Sequence, residues 1–328
     1  MQQRAYNIDS LKILCAFLVI FIHAYTPYHE YIVPVARCAV PCFFIISGYF
    51  IYSGDRMAFV NRLKRGMKRT FQLFIWSTLL FAIVKILCTF FNNGDFSFIS
   101  WWALCKFICV NDNPFGYHLW YVGAYLYTLF IIWFLVRKNK LKWLYVVVPI
   151  LLLADLCFGK YSLLLWNREF PNILTRNFLC VGIPYFMIGT LIKHYKAQLL
   201  SYRKLRLLTF GGVILFSLTS VIENKLLTEF NMNATRDHYI SSTFLAISLF
   251  LYFSYFKQTK PNFISNLGEK HSLYVYIFHP LVIIIFSIIR KSTPILWSEF
   301  YISYWTPLLI FVASIILSWF LRTMHVIK

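Results

Sequence analysis

Three ionisable residues stand in one apolar segment close to the start of the chain. Lys12 follows Asp9 by three residues and precedes His23 by eleven. In an α-helix this spacing puts Lys12 and His23 on one face, about 16 Å apart along the axis, and lets Asp9 pair with Lys12. Because a neutral imidazole accepts protons near pH 7 and can act as a nucleophile, His23 is a candidate catalytic residue. The alternative is that Asp9 and Lys12 are cytoplasmic anchors and His23 is an interfacial residue.

A dense group of basic residues follows at positions 61–69. If this segment is helical, Arg62, Arg65 and Arg69 line one face and Lys68 lies beside them. Arginine offers a planar fork that binds phosphate through two hydrogen bonds, so the group is suited to a phosphorylated ligand. Attachment to lipid headgroups, which needs only generic positive charge, is the alternative.

Five further side chains are candidates for the lining of a site: Ser47, His118, Trp120, Tyr121 and His279. Ser47 and Gly48 follow Pro41 within an apolar run, where small residues allow another helix to approach closely, so packing alone also explains them. The aromatic residues at 120–121 begin an apolar run and also fit an interfacial aromatic belt. His279 lies in the middle of a run, where an ionisable group indicates function.

The segments that must position these residues are unusually apolar. Hydrophobic residues make up 59% of the chain and charged residues 13%, against roughly 45–50% and 25% in soluble domains. We therefore predict an all-α polytopic membrane protein with about ten spans, because each span needs about 20 mostly apolar residues. The predicted spans are 8–26, 34–52, 70–91, 118–136, 143–158, 177–195, 207–222, 239–256, 271–289 and 303–322.

The formal charge of +20 comes from short basic runs between the apolar segments. This distribution excludes a nucleic-acid-binding protein, whose basic residues form a patch among polar groups. With the N-terminus in the cytoplasm, the cytoplasmic side holds 22 Lys and Arg residues and the outer side nine. The positive-inside rule then predicts cytoplasmic N- and C-termini, a cytoplasmic 61–69 segment, and a His23 that lies toward the opposite side.

The eight cysteines lie mostly in apolar runs and form no CxxC pair. They are therefore interpreted as packing residues rather than as disulfides or metal ligands. No cleavable signal peptide, linker or strong internal repeat is apparent in the sequence. We expect a single membrane domain over 1–328, with no metal and no permanently bound cofactor.

Taken in order, these features resemble the acyltransferase-3 family of bacterial integral-membrane O-acyltransferases. The matching segments are Lys12 with His23, then 41–49, the basic residues of 61–69, 118–121 and 272–280. Each motif is loose by itself. Five motifs in the correct order over nearly the whole chain form a specific pattern.

The resemblance implies a ten-helix domain that takes an acyl group, usually acetyl, from cytoplasmic acetyl-CoA or another acyl-CoA as donor substrate. The family's basic-x10-His motif corresponds to Lys12 and His23, and its Arg-x-x-Arg motif to Arg65 and Lys68. Lysine lacks the planar fork of arginine, so the fork at this second position would have to come from a neighbouring arginine. The chain also has Gln72 where the family often has proline.

The same resemblance implies a bacterial cytoplasmic (inner) membrane location and an envelope glycan or lipid-linked sugar as acceptor. The implied partners are acyl-CoA, this acceptor and the lipid bilayer, and a homo-oligomer is left open. Some relatives carry an additional esterase-like or racemase domain, and this sequence shows neither. The competing hypothesis is a secondary transporter or flippase for a saccharide or charged solute, which would also explain the buried ionisable groups.

In the expected mechanism, the phosphates of acyl-CoA bind the basic residues of 61–69 and the pantetheine arm extends along the first helix. His23 acts either as general base on an acceptor hydroxyl or as a transient acyl carrier. Asp9 orients Lys12, and Ser47 lines the acyl path.

Overall fold

The structure, a computed structural model, describes residues 5–24, 26–255, 258, 260–292 and 299–324, with backbone alone at 291–292 and 299–303. Across these residues the regular structure is helical and contains no strand, which confirms the all-α prediction. The helices are α1 Tyr6–His23, α2 His29–Ala36, α3 Ala39–Ile51, α4 Arg56–Phe91, α5 Trp101–Val110, α6 Trp120–Arg137, α7 Leu141–Phe158, α8 Ser162–Trp166, α9 Ile183–His194, α10 Lys196–Ser201, α11 Leu205–Glu229, α12 Ile240–Tyr255, α13 Phe263–Ser292 and α14 Glu299–Thr323.

Eight helical segments among the described residues are long and apolar enough to cross a bilayer. The predicted sixth and eighth spans correspond to shorter apolar helices, Phe178–His194 and Ile240–Tyr255. The predicted second span is a helix pair, α2 and α3, interrupted at Arg37 and Cys38. The chain is thus a multi-pass membrane protein by length and composition of its helices. The count of ten and the cytoplasmic termini stay predictions.

The helix α4 is much longer than the apolar run from which it was predicted. It starts at Arg56, where the carboxylate of Asp55 accepts hydrogen bonds from the N–H groups of Met57 (3.3 Å) and Ala58 (2.8 Å). Its 36 residues extend about 54 Å at 1.5 Å per residue, well beyond the ~30 Å hydrocarbon core. The basic 61–69 segment is therefore the first part of a continuous helix.

The contacts divide the chain into two compact units, with the boundary inside α3. The first unit comprises Met1–Phe43, Tyr202–Glu229 and Tyr239–Lys328. Its centre is the packing of α1 on α13, where Gly268 lies so close to the carbonyl of Asp9 that a Cβ would collide with it. Apolar residues of α1, α13 and α14 form the surrounding core. This close approach fixes the two helices that carry candidate histidines.

The second unit comprises Phe44–Ser201 and Phe230–His238. Its core lies between α4, α6 and α9 and includes the buried side chains of Leu63, Leu129 and Phe186. A Cβ at Gly48 would collide with the carbonyl oxygen of Phe186, and one at Gly189 with that of Ile45. The expectation that another helix approaches closely at Gly48 is confirmed.

Candidate functional site

The first candidate group lies along α1 in the first unit. The ammonium group of Lys12 contacts a carboxylate oxygen of Asp9 at 2.9 Å, so the predicted pair forms. Asp9 is only 6% exposed, whereas the Lys12 side chain is 31% exposed. A buried carboxylate is costly unless it is paired, and Lys12 supplies the compensating charge. His23 is the last residue of the same helix.

The structure brings the two predicted histidines of the first unit together. The rings of His23 and His279 are stacked, with centroids 5.3 Å apart and an interplanar angle of 19°. His279 is fully buried, and its Nδ1 lies 3.2 Å from the carbonyl oxygen of Val275. A carbonyl only accepts, so Nδ1 carries the proton and donates it. In the neutral ring the acceptor nitrogen of His279 is therefore Nε2.

Local sequence explains why α13 presents His279 in this way. The next residue, Pro280, lies inside the helix and has no N–H to donate within it. The ring of Tyr276 lies 6.0 Å from that of His279 and 6.1 Å from that of Phe43. The aromatic contacts thus hold the histidine at an irregular point of the helix.

The predicted ligand-binding face of α4 forms in the second unit. Arg65, Lys68 and Arg69 are exposed on the continuous helix. Arg62 differs from them, because its Nη1 donates to the carbonyl oxygens of Phe50 (3.3 Å) and Tyr52 (3.1 Å) at the end of α3. Arg62 therefore caps another helix with one nitrogen. The phosphate-binding role of all four basic residues stays a prediction.

The remaining predicted residues lie in the second unit, on α3, in the turn before α6 and at the start of α6. Ser47 hydrogen-bonds to the hydroxyl of Tyr125, which stacks on Tyr121 with centroids 6.1 Å apart. His118 belongs to a 3-10 turn ahead of α6 and packs against Phe81 at 4.4 Å. Trp120, half-buried, begins α6. Ser47 and Tyr121 thus share a neighbour, and their roles in an acyl path or acceptor pocket stay predictions.

One pair of ionisable residues in the second unit was not singled out from the sequence. Nδ1 of His238 lies 2.8 Å from Oδ2 of Asp155, and both side chains are at most 4% exposed. Asp155 stands in the apolar run of α7, which was a usable signal under the rule for intramembrane charges. His238 is 83 residues away, so only the fold identifies it as the partner.

A second group of polar contacts holds the same 230–238 segment. Glu169 accepts from the N–H of Thr235 at 2.6 Å and lies 3.4 Å from Nη1 of Arg236, while Nη2 of Arg176 donates to Asp237 at 2.6 Å. Burial alone would raise the pKa of Glu169, but the hydrogen bonds from Thr235 and the charge of Arg236 lower it below its ordinary value. The segment is therefore fixed by charge-assisted contacts on several sides.

Comparison with known proteins assigns the family. The family model described as an acyltransferase domain matches residues 5–323. The chain belongs to this acyltransferase family, as its sequence motifs predicted, and it is a multi-pass membrane member of that family. A curated Enterococcus faecalis protein described as an amino-acid racemase is 27% identical over 326 residues, which cover 90% of this chain and 43% of that protein.

A second Enterococcus faecalis protein with the same description is 26% identical over 200 residues, or 56% of this chain and 27% of its own length. The chain thus spans less than half the length of the curated relatives that it matches. No solved structure matches the chain.

Proposed function

We propose that this chain is a membrane O-acyltransferase of the bacterial cytoplasmic membrane. It transfers an acyl group, most simply acetyl, from cytoplasmic acyl-CoA to a hydroxyl group of an envelope saccharide or related acceptor. The observation that carries the proposal is the stacking of His23 on His279, since a histidine pair is a costly arrangement for a membrane helix bundle without a chemical role. Membership of the acyltransferase family supports the reaction class.

The histidine pair suits a reaction that requires a neutral imidazole. Two imidazolium rings with centroids 5.3 Å apart repel each other, and repulsion is strong in a medium of low dielectric constant. Two charged rings at this distance are therefore unfavourable. A neutral imidazole of His23 has a lone pair with which it can act as general base or nucleophile.

Two routes use that lone pair. As general base, His23 takes the proton of the acceptor hydroxyl while the oxygen attacks the thioester carbonyl, and CoA leaves as the thiolate and receives the proton. As acyl carrier, His23 itself attacks the thioester and releases CoA as the thiolate. The acceptor oxygen later displaces the imidazole from the acyl group, and the hydroxyl proton neutralises the CoA thiolate. Both routes leave the enzyme unchanged after one turnover.

The exposed basic face of α4 supports acyl-CoA as the donor. Arg65, Lys68 and Arg69 lie within two helical turns and are all exposed. Three cations at this spacing match the separated phosphates of a CoA nucleotide better than a single phosphate. The pantetheine arm would then enter the protein, and Ser47 and Tyr121 are the residues assigned to its path or to the acceptor pocket.

The second candidate function is transport of a saccharide or charged solute. The observation that favours it is the presence of buried ionisable pairs, Asp9 with Lys12 and Asp155 with His238, since such pairs also line solute pathways. The racemase description of the relatives is not carried over, because the chain matches less than half of their length.

The test uses the purified protein and a strain that lacks it. Acetyl-CoA should raise the thermal unfolding midpoint of the wild-type protein and of His23→Ala. Mass spectrometry of envelope glycans should show an acyl group that disappears in the deletion strain and returns with the wild-type chain, but not with His23→Ala. Stabilisation without any lost acyl group would overturn the acceptor assignment. Solute flux in vesicles, with no stabilisation by acetyl-CoA, would establish the transporter.

A further inference from the structure

The pair formed by Asp155 and His238 is chemically complete but has no place in the proposed reaction. Asp155 lies near the end of α7, and His238 ends the 230–238 segment that packs in the same unit. Their side chains are 3% and 4% exposed and touch at 2.8 Å. Burying a carboxylate beside an imidazole costs free energy. This cost indicates that the pair has a function other than solubility or anchoring.

The contact defines which nitrogen of His238 can react. A carboxylate accepts hydrogen bonds, so Nδ1 of His238 carries the proton that is donated to Asp155. Nε2 then holds the lone pair of the neutral ring. Among the residues that the structure describes, none hydrogen-bonds to Nε2 of His238. An aspartate that holds the tautomer and steadies the charged ring is the arrangement by which enzymes make a histidine an effective general base.

The surroundings hold this geometry from outside the pair. Glu169 binds Thr235 and Arg236, and Lys160 donates to the carbonyl oxygen of Ala234 at 2.8 Å. These contacts fix the backbone that leads to His238 without involving its ring. Rigid support of this kind is what a catalytic side chain requires, because its rotamer must be set before the substrate binds.

The nearby side chains also indicate the kind of acceptor. Trp166 stacks on Phe158 with an interplanar angle of 1° and centroids 6.1 Å apart, and Phe170 packs edge-on to the same ring at 5.3 Å. Phe158 is one helical turn beyond Asp155, and the carbonyl of Phe170 accepts a hydrogen bond from Arg236. Flat aromatic surfaces next to hydrogen-bonding groups suit the apolar faces and hydroxyl groups of a sugar ring.

We propose that Asp155 and His238 form an acid–base dyad that binds and deprotonates the hydroxyl group of a saccharide acceptor. Nε2 of His238 takes the hydroxyl proton as the acceptor oxygen bonds to the acyl carbon. The bond from that carbon to the sulfur of CoA breaks, and the proton passes from His238 to the departing thiolate. This inference rests on the proposed function and sharpens it, because it gives the role of general base to His238 instead of His23.

The test measures transfer of labelled acetyl from acetyl-CoA to envelope glycans in inside-out membrane vesicles of the deletion strain that expresses each variant. His238→Ala should lower the rate at least about 100-fold, the usual scale for a lost general base. Acetyl-CoA should still stabilise the purified variant thermally. Added imidazole should restore part of the rate, which a merely structural histidine would not allow. Asp155→Asn should also slow transfer, because the amide no longer favours the required tautomer.

Tyr145→Phe is the matched control, since it removes a hydrogen bond to Thr190 elsewhere in the same unit without touching the dyad or the segment that supports it. It should keep its rate within about threefold of wild type. A His238→Ala rate above one tenth of wild type, or an equal loss in Tyr145→Phe, would show that the pair has only a structural role. If His238→Ala does not fold, Asp155→Asn with a normal rate leads to the same conclusion. Failure of transfer in the wild-type vesicles would instead overturn the proposed function itself.

Discussion

His23 and His279 stack on each other although 256 positions separate them in the chain, with ring centroids 5.3 Å apart. One terminates α1 and the other lies beside a proline inside α13. The close contact between these helices at Gly268 makes the stacking feasible. The pairing gives His279 a direct electrostatic influence on His23, which is the residue assigned to the chemistry.

Replacement of His279 tests that influence. His279→Phe keeps an aromatic ring against His23 but removes the second titratable group. We expect acyl transfer to fall by about 10²-fold, the lower end of the range for acid–base contributions, while the protein remains membrane-inserted. A wild-type rate would show that His279 only packs.

The basic face of α4 should govern the affinity for the donor. Arg65→Ala combined with Arg69→Ala should weaken acetyl-CoA binding by about tenfold or more, since each lost charge-assisted hydrogen bond contributes roughly 1.5–3 kcal/mol. The measurement is the dissociation constant of the purified protein by calorimetry. Lys140→Ala, which removes an exposed charge elsewhere in the same unit, is the control. Equal losses of affinity in the double variant and in Lys140→Ala would indicate that only the overall positive charge of the protein matters.

In the ion pair of α1, the loss of one partner should destabilise the protein more than the loss of both charges. Lys12→Met leaves Asp9 buried without its partner and should lower the free energy of unfolding by about 1–2 kcal/mol, a value reduced from the fully buried case because Lys12 is partly exposed. Lys12→Met with Asp9→Asn should recover part of that loss. Thermal unfolding in detergent measures both. No difference between the single and double variants would contradict the pairing.

At the contact of α3 and α9 the helices are so close that only glycine fits. Gly48→Ala would drive its Cβ into the carbonyl of Phe186, and we expect it to lower stability by more than about 2 kcal/mol through overpacking. At Gly211 in α11, a Cβ would meet open space, with no packing neighbour within 4 Å. Gly211→Ala should therefore be neutral or stabilise by up to about 1 kcal/mol. If Gly48→Ala and Gly211→Ala unfold at comparable midpoint temperatures, a steric collision at Gly48 is excluded.

The contacts of Glu169 should make stability depend on acid pH. Its pKa is lowered in the folded protein, so its contribution is fully present above the unfolded pKa of about 4.3 and is lost as the pH falls through the lower folded value. Wild type should therefore lose more stability between about pH 7 and pH 3 than Glu169→Gln. Thermal unfolding in a pH series measures this, and parallel curves would contradict it.

The sequence by itself determined the class of protein. Composition and the length of the apolar runs indicate helices in a bilayer, because a helix of about 20 residues spans the hydrocarbon core and satisfies its own backbone groups. The spacing of Asp9 and Lys12 was enough to predict their contact, since helical geometry alone brings residues three positions apart together. The order of the motifs was enough for the family, which the match over residues 5–323 confirms.

Other features depended on contacts between distant segments, and no local rule contains them. The sequence showed His23 and His279 as separate candidates, but their stacking follows from the packing of α1 on α13. It offered no partner for Asp155 and no contact between Arg62 and the end of α3, whereas the fold places His238 beside Asp155 and lets Arg62 donate to the carbonyl of Tyr52. Period and propensity act over a few residues, whereas these pairings depend on how whole helices pack. Only the tertiary structure therefore decided which ionisable groups meet.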